Sequence, residues 1–186
     1  IAPPPTAARP HPAQTGAMPH PTPLPTQPGQ ESVWAYPRPP RLERTPRRLQ
    51  VWLGGELIAD TARSTQQAFR VLETSHPPGY YLPPDAFLPG VISRAGGSSM
   101  CEFKGAASYW TLSAAGQVAE RAAWSYERPT SAFAGMAGYV ALYAGRVDEC
   151  QVAGEVVTPQ PGEFYGGWIT ADIVGPFKGV PGSVGW

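Results

Sequence analysis

Turn signals recur about every 8–12 residues through the body of this chain, and they leave apolar runs too short for ordinary helices. Gly54-Gly55 separates Leu49–Leu53 from Glu56–Ala59, the pattern of a two-residue hairpin of type I′ or II′. Ala68–Glu73 alternates until Ser75-His76-Pro77-Pro78-Gly79 breaks it, and Tyr80-Tyr81-Leu82 is closed by Pro83-Pro84. Ala107–Leu112 and Val118–Tyr126 flank a turn at Ala114–Gly116, and Glu149–Val152 and Glu155–Val157 flank Ala153-Gly154. Gly138–Tyr143 reads as one more strand. Thr130–Ala137 is the one helix candidate, with Thr130 as N-cap. Strands of this length and spacing predict a mainly β body of antiparallel sheets with one short helix.

The prolines are unevenly spread. Residues 1–28 hold ten of the 24, with Arg9 the one charged residue and Met18 and Leu24 the only large aliphatics after Ile1. Such a segment buries too little apolar surface to offset its ordering entropy, and its composition favours extended polyproline II. His11 and His20 lie there as solvated side chains rather than metal ligands. The sequence opens with neither a basic n-region nor an apolar h-region, and it starts at Ile1 within the tail, as expected either of a removed targeting segment or of a sequence that begins part-way along the tail. Three segments are expected: a Pro-rich arm (1–28), a basic linker arm (29–50) and a β domain (51–186).

Lysines plus arginines equal aspartates plus glutamates at 14 each, which disfavours a generally basic nucleic-acid binder. Charge is nonetheless asymmetric, because Arg38, Arg41, Arg44, Arg47 and Arg48 crowd the linker arm while the rest of the chain is acidic. These arginines either fold back onto the acidic body or meet an acidic partner. No apolar run approaches the ~20 residues of a membrane-spanning helix.

Two clusters could carry chemistry. The first is Cys101-x-x-Lys104-Gly105, since a lysine beside a thiol favours the nucleophilic thiolate. Glu102 opposes that effect, and on an unbroken strand positions 101 and 104 face opposite ways, so they cooperate only if Gly105 begins a turn. A reactive thiol, a disulfide with Cys150 and a buried packing role all remain open for Cys101. The second cluster is Arg70, Glu73, Ser75, His76, Tyr80 and Tyr81. His76 is the only histidine after residue 50, so any imidazole acid–base chemistry of the body falls to it. Arg70 and Glu73, three apart, are candidates for an ion pair. A small-molecule pocket would draw on Glu73, Tyr80, Tyr109, Trp124 and Lys104. Phosphate-loop, zinc-protease, nucleophile-elbow and dinucleotide motifs are missing, and the sequence implies no cofactor or metal. The aromatic, Gly- and Pro-rich stretch 164–186 is expected to wrap over the body, with Trp168 buried and Trp186 at least half covered.

ESVWAYPRPPRLE (31–43), RVLETSHPPGYYLPP (70–84), CEFKGAASYW (101–110), AAWSYERPTSAFAGMAGYVALY (122–143), FYGGWIT (164–170) and IVGPFKGVPGSVGW (173–186) together resemble one family, domain of unknown function 427. The likeness covers about residues 29–186, and its last block resembles members from oxygenic photosynthetic lineages. It implies a β-tent-like fold of small antiparallel sheets. Many β-tents hold zinc between Cys-x-x-Cys knuckles. This chain has only Cys101 and Cys150, so the zinc knuckles are missing. A nucleotidyltransferase-like label sometimes attached to the family finds no closely spaced Asp pair here for a two-metal site.

Two functions are expected from this reading. One is a non-catalytic accessory subunit that docks its β domain on a larger assembly, threads its arm across it through the basic arginines, and resides in a plastid at a thylakoid photosystem. The other is a small-molecule-binding protein or enzyme whose pocket gathers Glu73, His76, Cys101 and Lys104 with Tyr80, Tyr109 and Trp124.

Overall fold

The computed structural model describes residues 19–186. In chain order the strands are β1 (Glu31–Ser32), β2 (Arg41–Thr45), β3 (Leu49–Leu53), β4 (Glu56–Asp60), β5 (Ala68–Leu72), β6 (Gly79–Tyr81), β7 (Ile92–Cys101) and β8 (Gly105–Ala114). They continue as β9 (Gln117–Ser125), β10 (Val140–Leu142), β11 (Glu149–Val152), β12 (Glu155–Val156), β13 (Thr158–Pro159), β14 (Trp168–Ile169) and β15 (Ile173–Val174). Short 3-10 turns join them, and none of the helices described is long and apolar enough to cross a membrane.

Three antiparallel sheets make the body, ordered β10-β9-β8-β7, β12-β11-β3-β4 and β2-β5-β6. The hairpins anticipated at Gly54-Gly55, Ala115-Gly116 and Ala153-Gly154 are all present, each with positive φ at both turn residues, the type I′ arrangement whose twist matches the flanking strands. The helix candidate is a 3-10 helix at Ser131–Met136. Its Phe133 and Met136 are buried, while the Thr130 hydroxyl donates to the Phe103 carbonyl instead of capping. β7 went unpredicted because its sequence, ISRAGGSSMC, has little strand propensity. Pairing with β8 shapes it, with an irregularity between Arg94 and Ser98.

Alternation along single strands distributes side chains among the cores. Leu49, Val51 and Leu53 of β3 point into the largest one, with Ile58, Leu112, Leu142, Val152 and Trp168. In β6, Tyr80 enters that same core while its neighbour Tyr81 turns to the second, with Phe69, Val71, Tyr126, Phe133 and Met136. The sheet β2-β5-β6 thus stands between two apolar clusters, with the cavity described below on the Tyr81 side.

Residues 29–50, expected as a linker arm, carry β1, β2 and the first residues of β3. Arg70, on β5, grips Glu31 with two hydrogen bonds of 3.0 and 2.9 Å and donates from Nε to Glu43 at 2.9 Å. The expected Arg70–Glu73 pair is not formed, because position 70 faces β2 while Glu73 lies past the strand end and meets Arg38 at 3.4 Å. The arginines proposed for partner contact have partners within the chain: Arg38 on Glu73, Arg41 on Glu43, Arg47 on Asp172, Arg48 on Asp60, and Arg44 over the Phe69 ring. Residues 1–18 of the Pro-rich arm, with His11, lie outside the described residues. Residues 19–28 have neither helix nor strand and touch this chain's own body. His20 packs edge-on to Trp34, and Leu24 N–H donates to the Gly175 carbonyl at 3.1 Å.

The C-terminal stretch wraps as expected. Trp168 is fully buried against Tyr80, and Trp186, 4% exposed, packs on Trp34 at 5.9 Å. Its last strand, β15, pairs with β1 in parallel, an exception to the antiparallel rule.

Candidate functional site

A cavity of about 360 Å³ opens where β5–β6, the β7–β8 hairpin, β9 and the 160–167 segment converge. Its walls are largely aromatic. Tyr81, Trp124, Tyr126 and Tyr143 form one side, with Trp124 and Tyr143 rings 4.6 Å apart and the Trp124 indole N–H donating to the Tyr81 hydroxyl at 3.3 Å. Tyr109 stands nearer the mouth, its hydroxyl 2.7 Å from Ser99 Oγ and its ring under Arg121. Met100 and Phe164, 76% and 79% exposed, sit on the rim.

Gly166 explains how the far wall can close. A Cβ there would stand 2.2 Å from the Trp124 ring, so the backbone lies on the indole as only glycine allows.

Cys101 and Lys104 do meet. Cys101 ends β7 and pairs in register with Gly105, which opens β8 at a φ of 104°. The intervening residues make the tight turn that an unbroken strand would have denied, and both side chains line the cavity. Lys104 is half-buried. Burial works against its charge, but Tyr81, Cys101 and Glu73 outweigh that and its pKa is raised, so it is an ammonium at neutral pH. Its Nζ lies 5.9 Å from the Tyr126 ring centre, and among the described residues no carboxylate comes within 4 Å of it. Glu73 lines the cavity too, held by Arg38.

His76 is in the cavity wall, but not as an acid–base group. Gly167 N–H donates to Gln160 Oε1, which orients the amide so that its Nε2 faces His76 Nδ1 at 3.1 Å and the Lys178 carbonyl at 2.8 Å. Nδ1 therefore accepts and Nε2 carries the proton. Burial first, then the nearby Lys178, Arg38 and Lys104 charges, push its pKa down to about 3, so it stays neutral across the physiological range. Tyr165 packs edge-on against the ring at 4.7 Å.

Tyr80, expected as a ligand contact, is placed elsewhere: strand alternation buries it against Trp168, its hydroxyl without a partner among the described residues. Tyr81 takes its place. It is 3% exposed, lines the cavity, and its oxygen accepts from Trp124. Tyr126, Tyr143, Tyr165 and Lys178 were also missed. The first two belong to strands or strand ends that sequence reading had located, so a facing argument could have found them; the last two depend on how the C-terminal segment returns. Both cysteines are free, which removes the disulfide alternative. Cys150 is buried in the main core and its thiol is pushed up by burial. Among the described residues no three His, Cys, Asp or Glu side chains gather as a metal site would require.

Residues 41–153, more than half of the chain, match the model of a family described as a domain of unknown function, DUF427. That span holds Glu73, His76, Tyr81, Cys101, Lys104, Tyr109, Trp124 and Tyr126, whereas Gln160, Phe164, Tyr165, Gly166 and Lys178 lie beyond it. No curated protein matches the chain.

Proposed function

We propose that this chain, which belongs to the DUF427 family, binds a small planar organic molecule through an anionic or carbonyl oxygen held by Lys104. The observation that carries this reading is a half-buried ammonium with no carboxylate within 4 Å among the described residues, set among aromatic faces in an open cavity. With no carboxylate at ion-pair distance among the described residues, the ammonium has N–H donors to offer a ligand oxygen. The Tyr81 hydroxyl stands at the same wall, while Trp124, Tyr126 and Tyr143 take the flat apolar body. The neutral His76 N–H fits as a fixed donor at the same wall.

The accessory-subunit reading drew on the Pro-rich arm, the charge asymmetry and the lack of a strong catalytic motif, and the arginines of the linker arm pair within the chain. The cavity is the better-supported alternative.

Calorimetric titration with 2-naphthoate and with neutral 2-naphthylmethanol tests it. The carboxylate should bind more tightly, and Lys104→Met should remove that preference. A hydrogen bond to a charged group is worth about 1.5–3 kcal/mol, which corresponds to roughly 10- to 150-fold in affinity. Equal binding of acid and alcohol by the wild-type protein, or none of either, would refute the reading.

A further inference from the structure

We propose that Cys101 is a nucleophile that adds to a planar α,β-unsaturated carbonyl compound whose carbonyl oxygen Lys104 and Tyr81 hold. This rests on the reading of the cavity as a ligand site. Three placements carry it. The Cys101 thiol is free and half-buried, and it lines the same wall as Lys104, the last residue of the three-residue turn that follows it. The deeply buried Tyr81 hydroxyl stands at that wall, where it accepts from the Trp124 indole. The flat aromatic walls match a conjugated, planar electrophile better than a bulky saturated one.

The other candidate nucleophiles are unsuited. Lys104 is an ammonium, with no lone pair to form a Schiff base. His76 has its acceptor nitrogen engaged by Gln160. Cys150 sits in the main core. Cys101, free and on the cavity wall, is the remaining nucleophile, which leaves sulfur as the attacking atom.

Conjugate addition also suits what the walls lack. Sulfur forms a bond to the β-carbon, the carbon–carbon π pair moves through the α-carbon onto oxygen as an enolate, and the thiol proton ends on the α-carbon. Nothing leaves, and no external oxidant or reductant takes part. Acyl transfer would need a group to protonate a leaving group near neutrality, and His76, the imidazole in the cavity wall, stays neutral. Charge develops on the enolate oxygen, where two fixed donors, Lys104 Nζ and Tyr81 Oη, can stabilise it.

The test uses 3-benzoylacrylate, a planar aryl enone with a carboxylate, and its saturated analogue 3-benzoylpropionate. Mass spectrometry of the intact wild-type chain should show one added probe, mapped to Cys101, and Cys101→Ser should show none while melting as the wild type does. The addition rate should saturate with probe concentration, 3-benzoylpropionate should protect, and Tyr81→Phe and Lys104→Met should each slow the limiting rate about tenfold or more. In Tyr81→Phe, iodoacetamide, which needs no oxyanion donor, should still label Cys101 at close to the wild-type rate. A rate that rises linearly without protection, or an adduct at another residue, would overturn the proposal. If 3-benzoylpropionate binds but the acrylate does not add at Cys101, the covalent step alone falls. If neither binds, the ligand-site reading falls with it.

Discussion

Replacing Arg70 with methionine should cost the protein several degrees of melting temperature and change how it responds to acid. The guanidinium, 13% exposed, bridges Glu31 and Glu43 with four contacts of 2.7–3.0 Å, and Tyr36 donates to the same Glu31 carboxylate at 2.6 Å. Removing one partner of a fully buried pair costs about 3–5 kcal/mol. Both carboxylates here are 38% exposed, so water recovers part of the loss, and about 1.5–3 kcal/mol is the reasonable figure. For a domain of this size that is roughly 4–10 °C. The acid response follows from Glu31. Burial works to raise its pKa, but hydrogen bonds from Arg70 and Tyr36 outweigh burial and hold it below the ordinary 4.5. A carboxyl depressed in the folded state stabilises fully above its unfolded value and loses that contribution as pH falls through the folded one. Wild-type protein should therefore lose stability below about pH 4.5 through this group, and Arg70→Met should lose less over the same interval. Thermal melts by circular dichroism at pH 7 and through the acid range measure both. A melting temperature within about 1 °C of wild type at pH 7, with an unchanged acid slope, would show that β1 is not held by this network.

Gly166→Ala should destabilise by about 1–3 kcal/mol and abolish naphthoate binding, since its Cβ would press the Trp124 ring at 2.2 Å into the cavity; wild-type binding would mean the wall yields freely. Trp186→Ala, which empties the contact with Trp34, should cost about 2–3 kcal/mol in chemical denaturation, and no change would make the C-terminal wrap dispensable. His76 should remain neutral in NMR titration down to about pH 3. Because its folded pKa is below the unfolded 6.5, it should withdraw stability as pH drops from about 6.5 toward 3; a midpoint near 6.5 would contradict its burial and its bond to Gln160.

Most of the strand framework was legible because turn chemistry is local. Gly54-Gly55, Ala115-Gly116 and Ala153-Gly154 need positive φ on both residues wherever the chain goes, and burial of Leu49, Val51 and Leu53 follows from alternation alone. β7 was hidden because Gly96-Gly97 and Ser98-Ser99 become a strand only when β8 is beside them. At the site, Glu73, His76, Cys101, Lys104, Tyr109 and Trp124 were named from the sequence and do share one cavity. Tyr80 was exchanged for Tyr81 because period-two alternation leaves open which of two adjacent tyrosines faces which core. The role of His76 depends on Gln160, 84 residues away, and no local pattern announces that hydrogen bond. The arginines of the linker arm likewise meet Asp172, Asp60 and Glu73 only after folding.

The central claim is that Lys104 and the aromatic wall hold a planar ligand by its oxygen, and a crystal structure of the protein with 2-naphthoate tests it most directly. The account predicts the naphthalene ring against Trp124 and Tyr143, with a carboxylate oxygen about 2.7–2.9 Å from Lys104 Nζ. Naphthoate seated on surface arginines, with the cavity unfilled and Lys104 untouched, would contradict it.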